Sequence, residues 1–423
     1  MSIRNKIKAG WIMALVMLAT TIFAQSSTLP SRIFVNPLEE GHRGLAFTWR
    51  CPVEVDRSFI QYKIASPHPV KDQKSGTIVE ASMEMDTVTY DENTGIFKSF
   101  RVKLENLEPG TLYMYRVGSD DAGWSEWIQV QLPHGHPDST FSFIYLGDPQ
   151  SDIRSQWSRT IRQAFRTNPN ASFILYAGDL VNRGYNDREW GDLYEGGDFI
   201  HRMIPSIMTP GNHEYAYPLL SPLWRTHFTL PSNGPKGYPM LEGACYYIDY
   251  PAVRIISLDG TTSEKDDALR EVQARWLESV LERTTHKWVI LTLHQPFYST
   301  KESRDNPQIR EAFMPLVEKY GVDLVLQGHD HAYGRGMLEA GASSPGNTGT
   351  MYVVSVSGPK QYEVGSEKSW MQKSGENVQL YQVIDIIRDQ LFFNTYTTTG
   401  TLYDSFILVK GSDGRLHLTE KGD

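Results

Sequence analysis

The sequence predicts two folded units in series, an all-β sandwich followed by a larger domain in which strands alternate with helices (class α+β / α/β). Three observations carry this. The chain has 423 residues, more than one compact core usually serves. Residues 31–133 hold short alternating stretches separated by turn-rich segments, the spacing of a sandwich. From residue 141 to 410 the apolar runs become continuous, as in strands buried on both faces, and helical patterns lie between them.

The first 25 residues read as an export leader. Residues 1–10 are basic, residues 11–24 are apolar and uncharged, and Gln25, Ser26 and Ser27 follow. The apolar run is shorter than the ~20 residues that span a bilayer and suits a secretory leader cleaved near Ala24 or Ser26. A secreted or periplasmic protein without stable membrane insertion is expected. No Cys stands near the leader, and Cys51 and Cys245, the only two, fall in different predicted domains. That count excludes both a disulfide framework and a cysteine-rich zinc site. The formal net charge of −9 disfavours nucleic acid as a partner. It does not oppose a small phosphorylated substrate, because bound metal ions dominate their local field.

In the first domain, strands are expected at 44–49, 59–64, 97–104 and 112–117. Pro109-Gly110 turns the chain just before a strand carrying Tyr113 and Tyr115, which resembles the corner of a fibronectin type III domain. Residues 133–140 are polar and rich in Pro and Gly, so the boundary is placed there. Beyond it, strands are expected at 141–146, 173–177, 205–209, 253–258, 288–293 and 322–326, and helices at 153–166, 187–203, 267–282 and 308–320. A β-rich tail at 351–356, 380–386, 391–396 and 401–408 has hairpin-like spacing.

The chemistry sits where these strands end. They deliver Gly147-Asp148, Gly178-Asp179, Gly211-Asn212-His213-Glu214, His294 and Gly328-His329-Asp330-His331 in turn. Carboxyl ends of strands are where α/β sheets gather ligands. A Gly-Asp after one strand signals little more than a turn. Five such endings in this order point to a metal site, and His329 and His331 face one way from extended backbone. Borderline divalent metals take imidazole and carboxylate together. Two ions about 4 Å apart share a carboxylate, activate a bridging hydroxide for in-line attack on phosphorus and neutralise the phosphoryl oxygens. A nearby histidine then protonates the leaving alkoxide.

These endings resemble the five blocks of the calcineurin-like metallophosphoesterases. With the fibronectin-like sandwich in front and Ala332-Tyr333-Gly334-Arg335 behind, the chain is similar to purple acid phosphatases over nearly its whole length after the leader. The resemblance implies a four-layer α-β-β-α sandwich and two metal ions (Fe, Zn or Mn). It implies that Asp179 bridges them, that Asp148 and His331 hold the first, and that Asn212, His294 and His329 hold the second. It sets the catalytic His213 near the leaving group.

Two positions depart from the pattern. Purple acid phosphatases carry a tyrosine three residues after the bridging aspartate, where this chain has Asn182. Other members place a histidine two residues after the first aspartate, where this chain has Gln150. Gln150 and Asn182 would meet the first ion directly or through water. A first site weaker than the second and no purple absorption band are expected. In the loop after His294, Tyr298, Lys301 and Arg304 are candidates for contacting phosphate, as are Tyr185 and Tyr215 elsewhere. The function expected is hydrolysis of phosphomonoesters. A phosphodiesterase or nucleotidase using the same ions is the first alternative, and a binding protein with a degenerate metal site is the second.

Overall fold

The computed structural model describes residues 28–68, 75–90, 93–342, 344–366, 369–412 and 414–420. The expected leader, 1–25, lies outside them.

The first unit is a sandwich of two antiparallel sheets. One runs Ser31–Pro37, Leu45–Pro52, Asn93–Leu104, Ser82–Tyr90; the other centres on Phe59–Ile64 and Leu112–Ser119. Their inner faces bury Phe47, Trp49, Ile60, Phe100, Tyr115 and Val117. The Tyr113 phenol accepts the Glu108 N–H at 3.0 Å, which closes the corner that Pro109-Gly110 opens.

The second unit contains two seven-stranded sheets. In the first, Ser206–Thr209, Ile174–Ala177 and Phe141–Leu146 run parallel, and Leu380–Ile387, Gln390–Thr397, Leu402–Lys410 and Leu416–Glu420 extend the sheet as an antiparallel meander. In the second, Val253–Ser257, Trp288–Thr292, Leu324–Gln327 and Thr350–Val354 run parallel, with antiparallel strands at both edges. Successive strand residues point to opposite faces, and the second sheet uses this fully. Ile255, Ile290, Leu326 and Val353 face the first sheet. Ile256, Leu291, Val325 and Val354 face helices Asp267–Glu282 and Pro307–Tyr320. Helices Ser158–Thr167 and Asp187–Gly197 join the core on the side of the first sheet. The result is a helix–sheet–sheet–helix stack. Polar pins cross between the sheets: the Tyr145 hydroxyl donates to the Gln327 carbonyl, and Thr209 and Ser257 share a 3.0 Å hydrogen bond.

Two expectations need correction. The helix expected over 187–203 breaks into Asp187–Gly197 and Phe199–Met203, because Asp198 adopts φ 42°. Gly196 and Gly197 precede the break, and adjacent glycines weaken a helix interior. The expected β tail is divided between the sheets. Its first strand, Thr350–Val354, pairs parallel with Leu324–Gln327 in the second sheet, while the other strands complete the first. The other strands do pair in succession as hairpins, whereas the partners of Thr350–Val354 are strands upstream of the tail, Leu324–Gln327 and Tyr333–Leu338.

The two units share a seam. Asp187 takes Arg32 at 2.6 Å and Arg50 at 2.9 Å. Asn36 donates to the Ser206 carbonyl and accepts the Thr229 N–H. Phe34 leaves the sandwich core to pack against Tyr194, His201 and Phe228. Cys51 and Cys245 are both buried and unbridged.

Candidate metal centre

The strand endings predicted from sequence converge at the seam between the two sheets. Asp148, Asp179, Asn212 and His213 come from the first sheet, and His294, His329 and His331 from the second. Four of them, Asp148, Asp179, His329 and His331, have φ between 46° and 75°. Non-glycine residues avoid this region, and holding them there requires the surroundings to over-determine the backbone, as functional sites do.

Two triads of donor atoms result, Asp148–Asp179–His331 and Asp179–His294–His329, each with its atoms within 4.8 Å of one another. Asp179 belongs to both.

Hydrogen bonds aim the imidazoles. His294 Nδ1 lies 2.8 Å from the Ala177 carbonyl, so it carries the proton and Nε2 points inward, 3.0 Å from Asp179 Oδ2. His331 Nδ1 donates in the same way to the Lys360 carbonyl at 3.0 Å, leaving Nε2 toward the triad. His329 turns Nδ1 toward His294 Nε2 at 3.1 Å. His213 Nδ1 donates to the Asn182 carbonyl, and its Nε2 lies 3.9 Å from Asp179 Oδ2. A fixed outer hydrogen bond of this kind sets tautomer and orientation in metal-ligating histidines.

Carboxylates aim the carboxylates. Glu214 is fully buried and accepts the backbone N–H groups of Asp179, Leu180, Val181 and Gly211 at 2.7–3.3 Å. It therefore fixes the turn that presents Asp179. Asp330 faces away from both triads, taking Ser299, Thr300 and Arg304, and anchors the His329–His331 loop. Sequence reasoning assigned neither role. The signal was present in Glu214 and Asp330, acids adjacent to histidines within the motifs, yet nothing local distinguishes a ligand from the group that braces it.

Two glycines are set by close approach. A Cβ on Gly211 would collide with the Asp179 carboxylate, and one on Gly328 with that of Asp148.

The donor set fits divalent ions. Burial, with the charge of Asp179 adding, pushes the Asp148 carboxyl up to about 8. Burial pushes the His294 imidazole down, but the carboxylates of Asp179 and Asp148 outweigh it and bring it up to about 9. The cluster is thus short of positive charge, which cations supply. Gln150 Oε1 and Asn212 Oδ1 are buried with no hydrogen-bond partner, and an oxygen left so pays a desolvation penalty that coordination removes.

The departures fall differently. Gln150 joins the first triad, its Nε2 2.9 Å from Asp179 Oδ2 and 3.1 Å from His331 Nε2. Asn182 accepts the Ser151 hydroxyl at 3.1 Å. Of the substrate candidates, Arg304 braces the His329 carbonyl and Asp330, Tyr298 donates to Met314 sulfur, Tyr185 to the Leu219 carbonyl, and Tyr215 to Asp259. All four are held by protein groups; Lys301 remains.

Family models agree with this architecture. Residues 141–333 match the calcineurin-like phosphoesterase model and residues 30–132 the purple acid phosphatase N-terminal domain. The chain carries a purple acid phosphatase-type phosphoesterase fold.

Proteins similar to this chain include an Allium cepa protein named phosphoenolpyruvate phosphatase, 28% identical over 258 residues, 55% of this chain and 49% of that one. The Fe(3+)-Zn(2+) purple acid phosphatase 12 of Arabidopsis thaliana is 26% identical over 330 residues, 72% of this chain and 65% of that one. The chain thus spans about half to two-thirds of the length of these relatives. The solved purple acid phosphatase PPD1 of yellow lupin (Lupinus luteus) superposes with TM-score 0.73 at 17% identity, covering 92% of this chain and 75% of that one. At that identity the likeness concerns the fold.

Proposed function

We propose that this chain is a metal-dependent phosphoric ester hydrolase that cleaves phosphomonoesters. The observation that carries the reading is the pair of donor triads sharing Asp179. Asp148, Asp179 and His331, with Gln150 beside them, would hold one divalent ion. Asp179, Asn212, His294 and His329 would hold the other. Ions bound there would activate water for attack on phosphorus and offset charge on the phosphoryl oxygens. His213 does the remaining work from the protein side. Its Nδ1–H is held by the Asn182 carbonyl, so Nε2 faces the cluster, and the doubly protonated imidazole would deliver its Nε2 proton to the leaving oxygen. Glu214 keeps Asp179 in register through four backbone N–H bonds.

Export is part of the proposal, supported by the basic and then apolar segment of residues 1–24. Among the described residues no helix is long and apolar enough to cross a membrane.

The test is elemental analysis of purified protein together with turnover of nitrophenyl phosphate and bis-nitrophenyl phosphate. Bound divalent metal and faster monoester turnover are expected. Faster diester turnover would make it a phosphodiesterase, and metal-free, inactive protein would leave a binding role.

A further inference from the structure

Two lysines stand over one tyrosine beside the first triad. Lys301 Nζ lies 4.3 Å from the centroid of the Tyr362 ring, and Lys360 Nζ lies 5.6 Å from it. That ring packs edge-on against His331, with centroids 4.8 Å apart. All three residues are partly exposed, and the aromatic face attracts both ammoniums. They come from segments distant in sequence, one after the His294 strand and one after the Thr350–Val354 strand.

Backbone bonds tie both segments to the His329–His331 loop. Tyr362 N–H donates to the His331 carbonyl at 3.0 Å, and His331 Nδ1 donates to the Lys360 carbonyl at 3.0 Å. On the other side, Thr300 N–H donates to Asp330 Oδ2 at 2.6 Å, and Lys301 N–H donates to Ser299 Oγ, which itself donates to Asp330. Gly365 N–H donates to the Thr300 carbonyl at 2.8 Å, joining the two segments. Both lysines are therefore carried on backbone tied to the His329–His331 loop.

Their charge is left unanswered locally. No carboxylate among the described residues pairs with either ammonium, whereas Arg304 in the same loop is neutralised by Asp330. Two like charges over one ring lie within about 10 Å of each other, the screening length at 0.1 M salt, and so repel. On a chain of formal net charge −9, concentrating two unpaired cations at this rim creates a local field for an anion.

We propose that Lys301, Lys360 and Tyr362 form an anion subsite next to the phosphoryl position. The preferred substrates are then phosphate esters whose leaving group carries a second anionic group, a carboxylate or a further phosphate. The proposal rests on the phosphoesterase reading above, and its test is separable from it.

Calorimetry on metal-loaded protein compares methylphosphonate with phosphonoacetate, which adds a carboxylate, and with methylenediphosphonate, which adds a second phosphonate. At least one doubly anionic probe is expected to bind about tenfold tighter than methylphosphonate, as steering by two rim cations allows. Which probe shows the preference identifies the second group. The preference is expected to fall toward parity in Lys301→Ala/Lys360→Ala, to invert in Lys360→Glu, and to shrink with added salt. Equal binding of all three probes by the wild type, or a preference that survives the double substitution, overturns the subsite. Nitrophenyl phosphate turnover on the same preparation judges the enzyme reading separately. No turnover with the anion preference intact removes that reading and retains the subsite.

Discussion

At the scale of single residues, the centre is organised by groups that hold other groups. Asp179 is fully buried, and burial opposes its charge, but the imidazoles of His294, His213 and His329 draw it well below the usual carboxylate range. Glu214 shows the opposite balance. Burial and the nearby Asp179 push it up to about 8, against the pull of its backbone donors. Glu214→Gln keeps the shape but turns an NH2 toward N–H groups that need an acceptor. Unfolding free energy is expected to drop by about 1–3 kcal/mol, the cost of buried groups left unsatisfied. Metal affinity should fall with it, because Asp179 loses its brace. Urea unfolding and metal titration read the two effects, and undiminished metal affinity would show that Glu214 does not position Asp179. The motif histidines, aspartates and asparagine were legible in the sequence because each closes an apolar run. The bracing of Arg304 was not, since an arginine in a loop after a metal histidine suits phosphate and carboxylate equally.

At the scale of elements, the strands are simple and their ends are strained. Continuous apolar runs such as Phe141–Leu146 and Trp288–Thr292 were readable because both faces of each are covered. The edge strand Tyr246–Tyr250 and the strand Tyr333–Leu338 escaped. Tyr246–Tyr250 alternates buried and half-buried residues, and Tyr333–Leu338 contains two glycines that lower its strand propensity. Helix Asp187–Gly197 has a task beyond packing. Its first residue, Asp187, receives Arg32 and Arg50 from the sandwich, and Asn186 caps the helix by accepting the Arg188 N–H at 3.0 Å. Asp187→Ala would leave Arg50, whose side chain is 4% exposed, as an uncompensated buried charge. Breaking a buried pair in this way costs about 3–5 kcal/mol. The expected outcome is a lower unfolding midpoint, with the sandwich and the phosphoesterase unit separating into two transitions. A single unshifted transition would mean that the ion pair does not hold the seam.

At the scale of the whole molecule, the seam between the two units holds a buried histidine whose contribution responds to pH. His201 is fully buried against Phe34 and Trp157, within hydrogen-bond distance of the Tyr176 hydroxyl at 2.9 Å. Burial, with Arg202 nearby, pushes its imidazole down to about 3. The unfolded chain takes up a proton at ~6.5 and the native state does not, so the contribution of neutral His201 is complete above that value. It is lost as pH falls from about 6.5 toward 3. Relative to His201→Phe, wild-type stability should therefore decline with acidity by up to about 1.4 kcal/mol per pH unit. Chemical denaturation of both proteins at pH 7, 6, 5 and 4 reads the difference. A constant difference across that range would mean His201 is charged, or rehydrated, in the fold. Comparing variants at each pH cancels the carboxyls of the candidate metal centre, where Asp148 and Glu214, held high, titrate with the opposite sign and Asp179, held low, with the same sign.

From the sequence alone, the order of elements, the sandwich-then-α/β architecture and the candidate donor residues could be read. Each of these leaves a local mark: a hydrophobic period, a turn residue, or a polar group ending an apolar run. Only the tertiary structure decided that Asp148 and Asp179 from one sheet meet His294, His329 and His331 from another. It also decided that the β tail divides between those sheets, and that Lys301 and Lys360 share one tyrosine. Contacts between segments separated in the chain are set by how the strands and the two sheets pack, and that free energy is not written in any window of the chain.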